Sequence, residues 1–271
     1  MEKAKYDNSK ITKNLGQIKH KLIVLSGKGG VGKSTVSVNL ALTLSEKKYN
    51  VGLLDSDLHG PSIPKMLGIE DEKPEPSEIG FNPVSVSSHL KVMSIGFLLQ
   101  DRDSPVIWRG PLKMAAIKQF IGDCNWGELD YLIIDLPPGT GDEPLSIAQL
   151  IPNCDGTIIV TTPQDVALVS VRKSINFVKK MNIPIIGIIE NMSGFKCPHC
   201  GKSIDIFKTG GGSKASRDFN VPFLGKVPLD IKIVETGDSG EPFVIKDKGS
   251  ETAKAFMEIV KNIEKNVNKK R

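Results

Sequence analysis

The chain has 271 residues, of which 39% are hydrophobic, 25% charged and 6% aromatic, as in an ordinary soluble globular protein. Its net charge is +5, but residues 1–20 and 261–271 together carry +7, so the rest of the chain carries −2. This distribution argues against a basic surface for nucleic acid on the folded body. We expect a basic flexible tail over residues 1–18 and one folded domain over residues 19–271.

The apolar segments are too short to span a membrane. No window approaches the roughly 18 to 20 uninterrupted apolar residues that a spanning helix needs, and no secretory segment follows Met1. We therefore expect a cytoplasmic protein without stable membrane association. In a reducing compartment, the four cysteines are expected to serve metal binding or redox chemistry where two lie close together, and not a disulfide framework.

The first motif in chain order is a glycine-rich segment after an apolar run. Residues 21–35 have the sequence KLIVLSGKGGVGKST, in which four residues separate Gly27 from Gly32, and Lys33 and Ser34 follow. This is the spacing of a P-loop, whose backbone amides surround a polyphosphate at a helix N-terminus. Lys33 would place its charge near the β and γ phosphates, and Ser34 would offer its hydroxyl to Mg²⁺. The predicted phosphate-binding residues are Gly27, Lys28, Gly29, Gly30, Val31, Gly32, Lys33, Ser34 and Thr35. A β-to-α turn that binds nothing is the alternative, although both flanks fit a strand, a loop and a helix.

Acidic residues follow two of the next predicted strands. Residues 50–54 are an apolar run that leads into Asp55 and Asp57, and the run YLIID ends in Asp135. Ligand sites in open α/β sheets lie just beyond the carboxyl ends of the strands. Asp135 fits the Walker B position, from which it can bond Ser34 and the water shell of Mg²⁺. Asp57 could instead cap the helical turn that follows it.

The remaining apolar runs predict the fold class. We expect strands over residues 90–95, 156–161 and 183–190, and helices over residues 35–46, 111–121, 164–181 and 251–267. Runs such as IIGII lack the alternation of half-exposed strands, which indicates strands covered on both faces. The prediction is an α/β fold: a doubly wound, mostly parallel sheet with helices on both faces, as in P-loop NTPases. The last helix is expected to pack on the core, with a basic membrane-targeting helix as the alternative.

The sequence FKCPHCGK, within a loop at about residues 193–202, contains a C-x-x-C pair. Cys197 and Cys200 form the type of tight turn that presents two thiolates to one metal. A tetrahedral centre needs four such ligands, and Cys124 and Cys154 stand alone in segments typical of a core. A two-fold dimer would supply the second pair. Thiolates suit both zinc and iron–sulfur clusters, so the ligand type leaves the metal open. A thioredoxin-like redox pair is a third interpretation, but such pairs follow the first strand of a different fold. We expect His199 only to form the tip of the loop.

Taken together, these motifs resemble the deviant P-loop ATPases, a family that includes MinD, ParA, the nitrogenase iron protein and the Mrp-type iron–sulfur carriers. Residues 28–34, KGGVGKS, match the family pattern KGG-x-GK-[ST] at every position. Residues 19–248 then contain DSDLHGPS, DLPPGTGD, ENMSGFKCPHC and GKVPLD in order, which is similar to the Mrp-type iron–sulfur cluster carrier ATPases.

The resemblance implies roles for several residues. Catalysis would occur in a face-to-face homodimer, in which Lys28 of one subunit reaches the phosphates bound by the other. The alternative for Lys28 is a solvated loop lysine without a catalytic role. Asp57 would orient or deprotonate the attacking water, and Asp55 would support the Mg²⁺ shell. Asn191 would bond the adenine ring, and Pro228 would lie in the segment that stacks on the base. A glycine amide of DLPPGTGD would sense the γ phosphate.

The Mrp-type resemblance also implies a cargo. A [4Fe-4S] cluster would bridge the two pairs of Cys197 and Cys200, and ATP with Mg²⁺ would support its transfer to apo iron–sulfur proteins. Two other functions stay open: a MinD- or ParA-type positioning ATPase acting on membrane or DNA, and a zinc-bridged scaffold whose nucleotide only sets dimerisation. The paired cysteines argue against the positioning ATPase, because positioning requires no thiolate site.

Overall fold

The computed structural model describes residues 8–58, 60–98 and 110–269. The helices in these ranges are α1 (Asn8–Gly16), α2 (Lys33–Glu46), α3 (Ile63–Met66), α4 (Gly110–Gly122), α5 (Asp142–Leu150), α6 (Asp165–Lys180), α7 (Gly211–Phe219), α8 (Ile231–Ser239), α9 (Phe243–Lys246) and α10 (Glu251–Asn268), with a 3-10 turn at Ile95–Leu98. The strands are β1 (Ile18–Leu25), β2 (Val51–Asp55), β3 (Pro76–Ser77), β4 (Gly80–Phe81), β5 (Val84–Ser87), β6 (Leu90–Ser94), β7 (Leu129–Asp135), β8 (Gly156–Thr161), β9 (Ile185–Glu190), β10 (Phe195–Lys196), β11 (Ser203–Ile204) and β12 (Phe223–Lys226).

Eight of the strands form one sheet in the order β12-β9-β8-β1-β7-β2-β6-β5. The neighbouring pairs are parallel except β5 with β6, which is antiparallel. Every residue of β8 is buried, because helices cover both faces of the sheet and leave no solvated side. The predicted fold class, a doubly wound and mostly parallel α/β sheet, is confirmed. The short pairs β3 with β4 and β10 with β11 form two separate hairpins.

The core lies in two layers, one on each face of the sheet. Successive residues of β1 alternate between them: Leu22 and Val24 pack with α2 and α10, whereas Ile23 and Leu25 pack with α1, α4 and α5. This alternation follows from the pleat, which directs neighbouring side chains to opposite faces. The sheet is thereby fixed from both sides, and the loops at the carboxyl ends of its strands are held in place.

Helix α10 packs its apolar face into one of these layers. Phe256, Ile259 and Ile263 are at most 1% exposed, and the Ser250 hydroxyl caps the helix by accepting the N–H of Ala253 at 3.0 Å. The prediction of a core-packing helix is confirmed. A membrane-targeting helix, the alternative, would need this apolar face to be free.

The chain before β1 differs from the predicted flexible tail. Residues 8–16 form α1, whose Ile11 and Leu15 are 2% and 0% exposed in the same layer as α4. The buried Lys21 ammonium donates to the carbonyls of Leu15 and Ile18 at 3.4 and 3.0 Å, which holds the end of this helix at the sheet. The expectation was wrong here, since two well-placed apolar side chains are sufficient to dock a short basic helix. Residues 1–7 lie outside the described residues.

Within the ranges that the structure describes, no helix combines the length and the apolar character needed to cross a membrane.

Candidate nucleotide site and thiol pair

The glycine-rich loop connects β1 to α2 at the carboxyl edge of the sheet. Gly30 and Gly32 have φ angles of 74° and 76°, in the left-handed region that side chains disfavour. A Cβ at Gly27 would lie 2.5 Å from the carbonyl oxygen of Ser170, and one at Gly32 would collide with the amide nitrogen of Asn191. The first amides of α2 have no partner within the helix and no side-chain cap. The loop therefore has the close packing and the unpaired donors of a phosphate cradle.

Asp135 connects this loop to the adjacent strand. The carboxylate is fully buried at the end of β7, where Oδ2 accepts hydrogen bonds from Lys33 Nζ at 2.5 Å and from Ser34 Oγ at 2.7 Å. Oδ1 accepts from Ser37 Oγ at 2.6 Å. A buried charge is stable only when it is paired and hydrogen-bonded in this way. The structure brings Lys33, Ser34 and Asp135 together; Ser37, one turn along α2, was not among the predicted residues.

Asp55 adds a second buried carboxylate at the neighbouring strand end. It pairs in register with Asp135, and it accepts hydrogen bonds from the Ser94 hydroxyl at 2.9 Å and from the Asp57 N–H at 3.2 Å. Burial raises the pKa of Asp55 to about 7, with the nearby charge of Asp135 as the second cause. Asp135, which accepts from the Ser34 hydroxyl, and the adjacent Asp55 offer the hard oxygen ligands that Mg²⁺ prefers. The donor set thus fits a divalent cation that would neutralise both acids.

Asp57 is half-buried at a cleft of about 530 Å³, which Pro137 and Pro138 of the loop after β7 and Glu143 at the start of α5 bound on the other side. The cleft thus brings Asp57 together with the DLPPGTGD segment that follows β7. The alternative role for Asp57, capping the next helical turn, is wrong, because α3 begins at Ile63 and has Ser62 as its N-cap.

The loop after β7 also contacts the P-loop directly. The Gly139 N–H donates to the carbonyl of Ser26 at 2.8 Å, and the Ser26 hydroxyl donates to the carbonyl of Lys28 at 3.0 Å. The side chain of Lys28 is half-exposed at the rim of the loop. Lys28 is thus not enclosed by the chain that carries it.

A cavity of about 330 Å³ lies beyond the P-loop, between α2 and α8, and both residues predicted to contact the base, Asn191 and Pro228, line it. Asn191 Nδ2 donates to the carbonyl of Val31 at 2.9 Å, which ties the cavity wall to the P-loop. Asn39, which was not predicted, is 4% exposed; its Nδ2 donates to the Thr35 carbonyl at 2.8 Å, and its Oδ1 has no partner among the described residues. A buried acceptor without a partner beside a largely apolar cavity suits a ligand with N–H or O–H donors, as adenosine has.

The C-x-x-C pair lies at the turn between β10 and β11. The N–H of Cys197 donates to the Lys202 carbonyl at 3.0 Å, and the Gly201 N–H donates to the Cys197 carbonyl at 2.9 Å. Cys197 is half-exposed and Cys200 is exposed. Hydrogen bonds from the backbone amides of Cys200 and His199 lower the pKa of Cys197, which favours its thiolate.

The other two cysteines are unsuited to the same centre. Cys124 is fully buried in the core, and burial raises the pKa of its thiol well above the usual range. Burial also raises the pKa of Cys154 to about 11. In the described part of the chain, no group of three His, Cys, Asp or Glu side chains could hold a metal ion. Within these residues, one chain therefore supplies Cys197 and Cys200 as two of the four ligands of a thiolate centre, separate from the oxygen ligands beside the P-loop.

The P-loop connects β1 to α2 in a doubly wound, mostly parallel sheet, and the buried acid Asp135 ends the adjacent strand β7. Together these two features define a P-loop nucleotide-binding protein. Residues 17–264 match the ParA family, in the group described as NUBPL iron-transfer P-loop NTPases, and the chain belongs to this family. The resemblance inferred from the motifs is confirmed.

Individual relatives agree with this assignment. The chain is 56% identical over 265 residues to the iron-sulfur cluster carrier protein of Methanocaldococcus jannaschii, covering 97% of this chain and 90% of the relative. It is 57% identical over 228 residues to the cytosolic Fe-S cluster assembly factor CFD1 of Kluyveromyces lactis, covering 82% and 81% of the two chains. A nucleotide-binding protein from Archaeoglobus fulgidus, solved in complex with ADP, is 37% identical with a TM-score of 0.80, covering 92% of this chain and 97% of that one.

Proposed function

We propose that the protein is a cytoplasmic, ATP-hydrolysing carrier of iron–sulfur clusters, which holds a [4Fe-4S] cluster between two copies of itself and delivers it to apo iron–sulfur proteins. The observation that carries this proposal is the accessible pair Cys197 and Cys200 on a P-loop NTPase. The pair supplies half of a four-ligand centre, and a two-fold axis would supply the other half. The name of the Methanocaldococcus jannaschii relative supports the choice of cargo.

The P-loop residues would bind and position ATP. The amides at the start of α2 and the Lys33 ammonium would balance the phosphate charge, and Lys33 would exchange its contact with Asp135 for a phosphate oxygen. Ser34, Asp55 and Asp135 would hold Mg²⁺ and its water shell, and the cation would neutralise phosphate charge when bound.

Hydrolysis would depend on residues from both subunits. Asp57, at the cleft facing the loop after β7, would orient or deprotonate the attacking water. Lys28 would extend from the rim of one P-loop to the phosphates bound by the partner, and its half-exposed position supports that role. Asn191, Pro228 and Asn39 would hold the base and ribose in the neighbouring cavity.

The two alternatives make different demands on the molecule. A zinc-bridged scaffold would use the same thiol pairs and differ only in the metal. A positioning ATPase would need no thiols, and the burial of the apolar face of α10 argues against a membrane-binding role for that helix. The thiol pair therefore favours a carrier, and the identity of the bound metal separates a carrier from a scaffold.

Anaerobic reconstitution with iron and sulfide tests the proposal. We expect a brown protein with thiolate-to-iron absorbance, and we expect Cys197→Ala and Cys200→Ala to lose it while ATP binding is retained. Cys154→Ala is the matched control and should retain the colour, because its thiol is largely buried and has a raised pKa. A colourless wild-type protein that binds zinc alone would favour the scaffold.

A further inference from the structure

Glu190 contacts both ends of residues 193–212, the segment that contains the thiol pair. It is the last residue of β9 and is 1% exposed. Its Oε1 accepts hydrogen bonds from Ser193 Oγ at 2.5 Å and from the Gly210 N–H at 2.9 Å, and its Oε2 accepts from the Gly212 N–H at 2.5 Å. Ser193 precedes the hairpin of β10 and β11, and the two glycines follow it. One buried carboxylate thus joins both ends of this segment.

The packing at this point leaves little freedom for the carboxylate. A Cβ on Gly212 would lie 3.0 Å from Glu190 Cβ, and a Cβ on Gly211 would collide with the carbonyl oxygen of Pro163. Gly212 therefore allows the backbone to approach Glu190 closely, and Gly210 is favoured by its left-handed φ of 87°. Any displacement of Glu190 would be transmitted to both ends of the hairpin.

The nucleotide cavity adjoins the same segment. Asn191, directly after Glu190, bonds the P-loop at Val31 and lines the cavity. Residues 190–195 then run beside residues 227–229: the Val227 N–H donates to the Glu190 carbonyl at 2.8 Å, and the Leu229 N–H donates to the Gly194 carbonyl at 2.8 Å. Leu229 also lines the cavity and forms a β-bridge with Phe195 at the start of the hairpin. A ligand in the cavity would contact both segments that lead to the thiols.

We propose that Glu190 is a positioning residue that couples the nucleotide cavity to the thiol pair. Nucleotide binding displaces residues 190–195 relative to the P-loop, and Glu190 transmits this displacement to both ends of the hairpin, which changes the metal affinity of Cys197 and Cys200. Coupling between two binding sites is reciprocal, so metal binding changes the nucleotide affinity by the same factor. This inference rests on the proposed function of both sites.

The test measures the factor by which nucleotide and metal change each other's affinity. Co²⁺ is the metal probe, because its thiolate complexes absorb visible light. The affinity of the full-length protein for Co²⁺ is measured anaerobically in excess Mg²⁺, which occupies the cation site beside the P-loop, with and without ADP, and the affinity for ADP is measured with and without Co²⁺ under the same conditions. We expect a coupling factor of about 5 to 150 in the wild type, the usual range for linked sites. Glu190→Gln keeps the side-chain shape, and its amide oxygen can still accept from Ser193 Oγ and the Gly210 N–H, but its NH2 group then faces the Gly212 N–H where an acceptor is needed. It should bring the factor close to one and leave ADP affinity without Co²⁺ nearly unchanged.

Glu251→Gln is the matched control. Glu251 is an exposed acid that pairs with Lys196 at 2.7 Å, beside the thiol pair and outside the nucleotide cavity, so its replacement should preserve the coupling. Should Glu190→Gln fail to fold, Ser193→Ala removes one of the three donors and should reduce the factor partially. An unchanged factor in a folded Glu190→Gln protein, or a factor of one in the wild type with both ligands bound, would overturn the inference. Failure of the wild type to bind Co²⁺ through Cys197 and Cys200 would instead count against the proposed function.

Discussion

Asp55 offers a pH-dependent test of the charges beside the P-loop. Burial, followed by the charge of Asp135, raises its pKa from 3.8 to about 7. Between these values the folded protein retains a proton that the unfolded chain has released. Because the folded state binds more protons in this range, the free energy of unfolding contributed by this group falls as the pH rises from about 4 to about 7.

The pKa of Asp55 in the folded protein determines how much unfolding free energy is lost. At about 1.4 kcal/mol for each pH unit, the difference between the two pKa values of Asp55 corresponds to about 4 kcal/mol at pH values above about 7. Asp55→Asn removes the titrating group and keeps its shape: the amide oxygen can accept the Asp57 N–H, and the Ser94 hydroxyl can accept from the new amide. We expect the variant to match the wild type near pH 4 and to be more stable by about 2 to 4 kcal/mol near pH 8.

Urea unfolding followed by circular dichroism, at a series of pH values with a chelator and without nucleotide, measures this difference. Subtracting the two proteins at each pH removes the contribution of titrating groups that do not interact with Asp55, so the difference reports the Asp55–Asp135 pair. Adding Mg²⁺ and ADP near pH 8 should stabilise the wild type more than Asp55→Asn, since the cation would neutralise the charged pair. Equal pH dependence in the two proteins would refute the buried charge pair.

Three further outcomes concern the nucleotide site. Lys33→Ala should weaken ATP binding by about 10- to 100-fold in calorimetry, because a hydrogen bond to a charged group contributes about 1.5–3 kcal/mol; wild-type affinity would contradict the P-loop assignment. A mixture of Lys28→Ala and Asp57→Asn proteins should regain part of the ATPase activity that each lacks, since a mixed dimer contains one intact composite site; no recovery in verified mixed dimers would contradict catalysis across the interface. Asn39→Ala should weaken ADP binding by about fivefold, the equivalent of about 1 kcal/mol for one hydrogen bond. Pyrophosphate binding should not change, and an equal loss for pyrophosphate would contradict a contact with the nucleoside.

Local sequence was sufficient to predict six of the eight strands of the central sheet and the glycine-rich loop after β1, whereas the edge strands β5 and β12 were not predicted. The P-loop and the acid Asp135 are short motifs at strand ends, and the apolar runs are long enough to indicate buried strands. Contacts between distant segments were not predictable in this way. Glu190 accepts hydrogen bonds from residues up to 22 positions away, and nothing in the sequence around it indicates those partners.

Other helices and site residues were not predicted from the sequence for different physical reasons. Helix α1 was missed because its apolar positions are few and its charge suggested a solvated tail. Ser37 and Asn39 lie inside α2, where small polar residues are common, so only the folded structure shows that Ser37 bonds Asp135 and that Asn39 lines the cavity. Helix α8 was missed because it is only nine residues long, too short for apolar spacing to distinguish a helix from a strand or a loop.

The central claim is that two chains share one cluster through Cys197 and Cys200. Native mass spectrometry of the anaerobically reconstituted protein measures both the number of chains and the bound metal in the same particle. We predict a dimer that carries one [4Fe-4S] cluster, with Cys197→Ala and Cys200→Ala unable to form it. A monomer that carries a complete cluster would contradict the account.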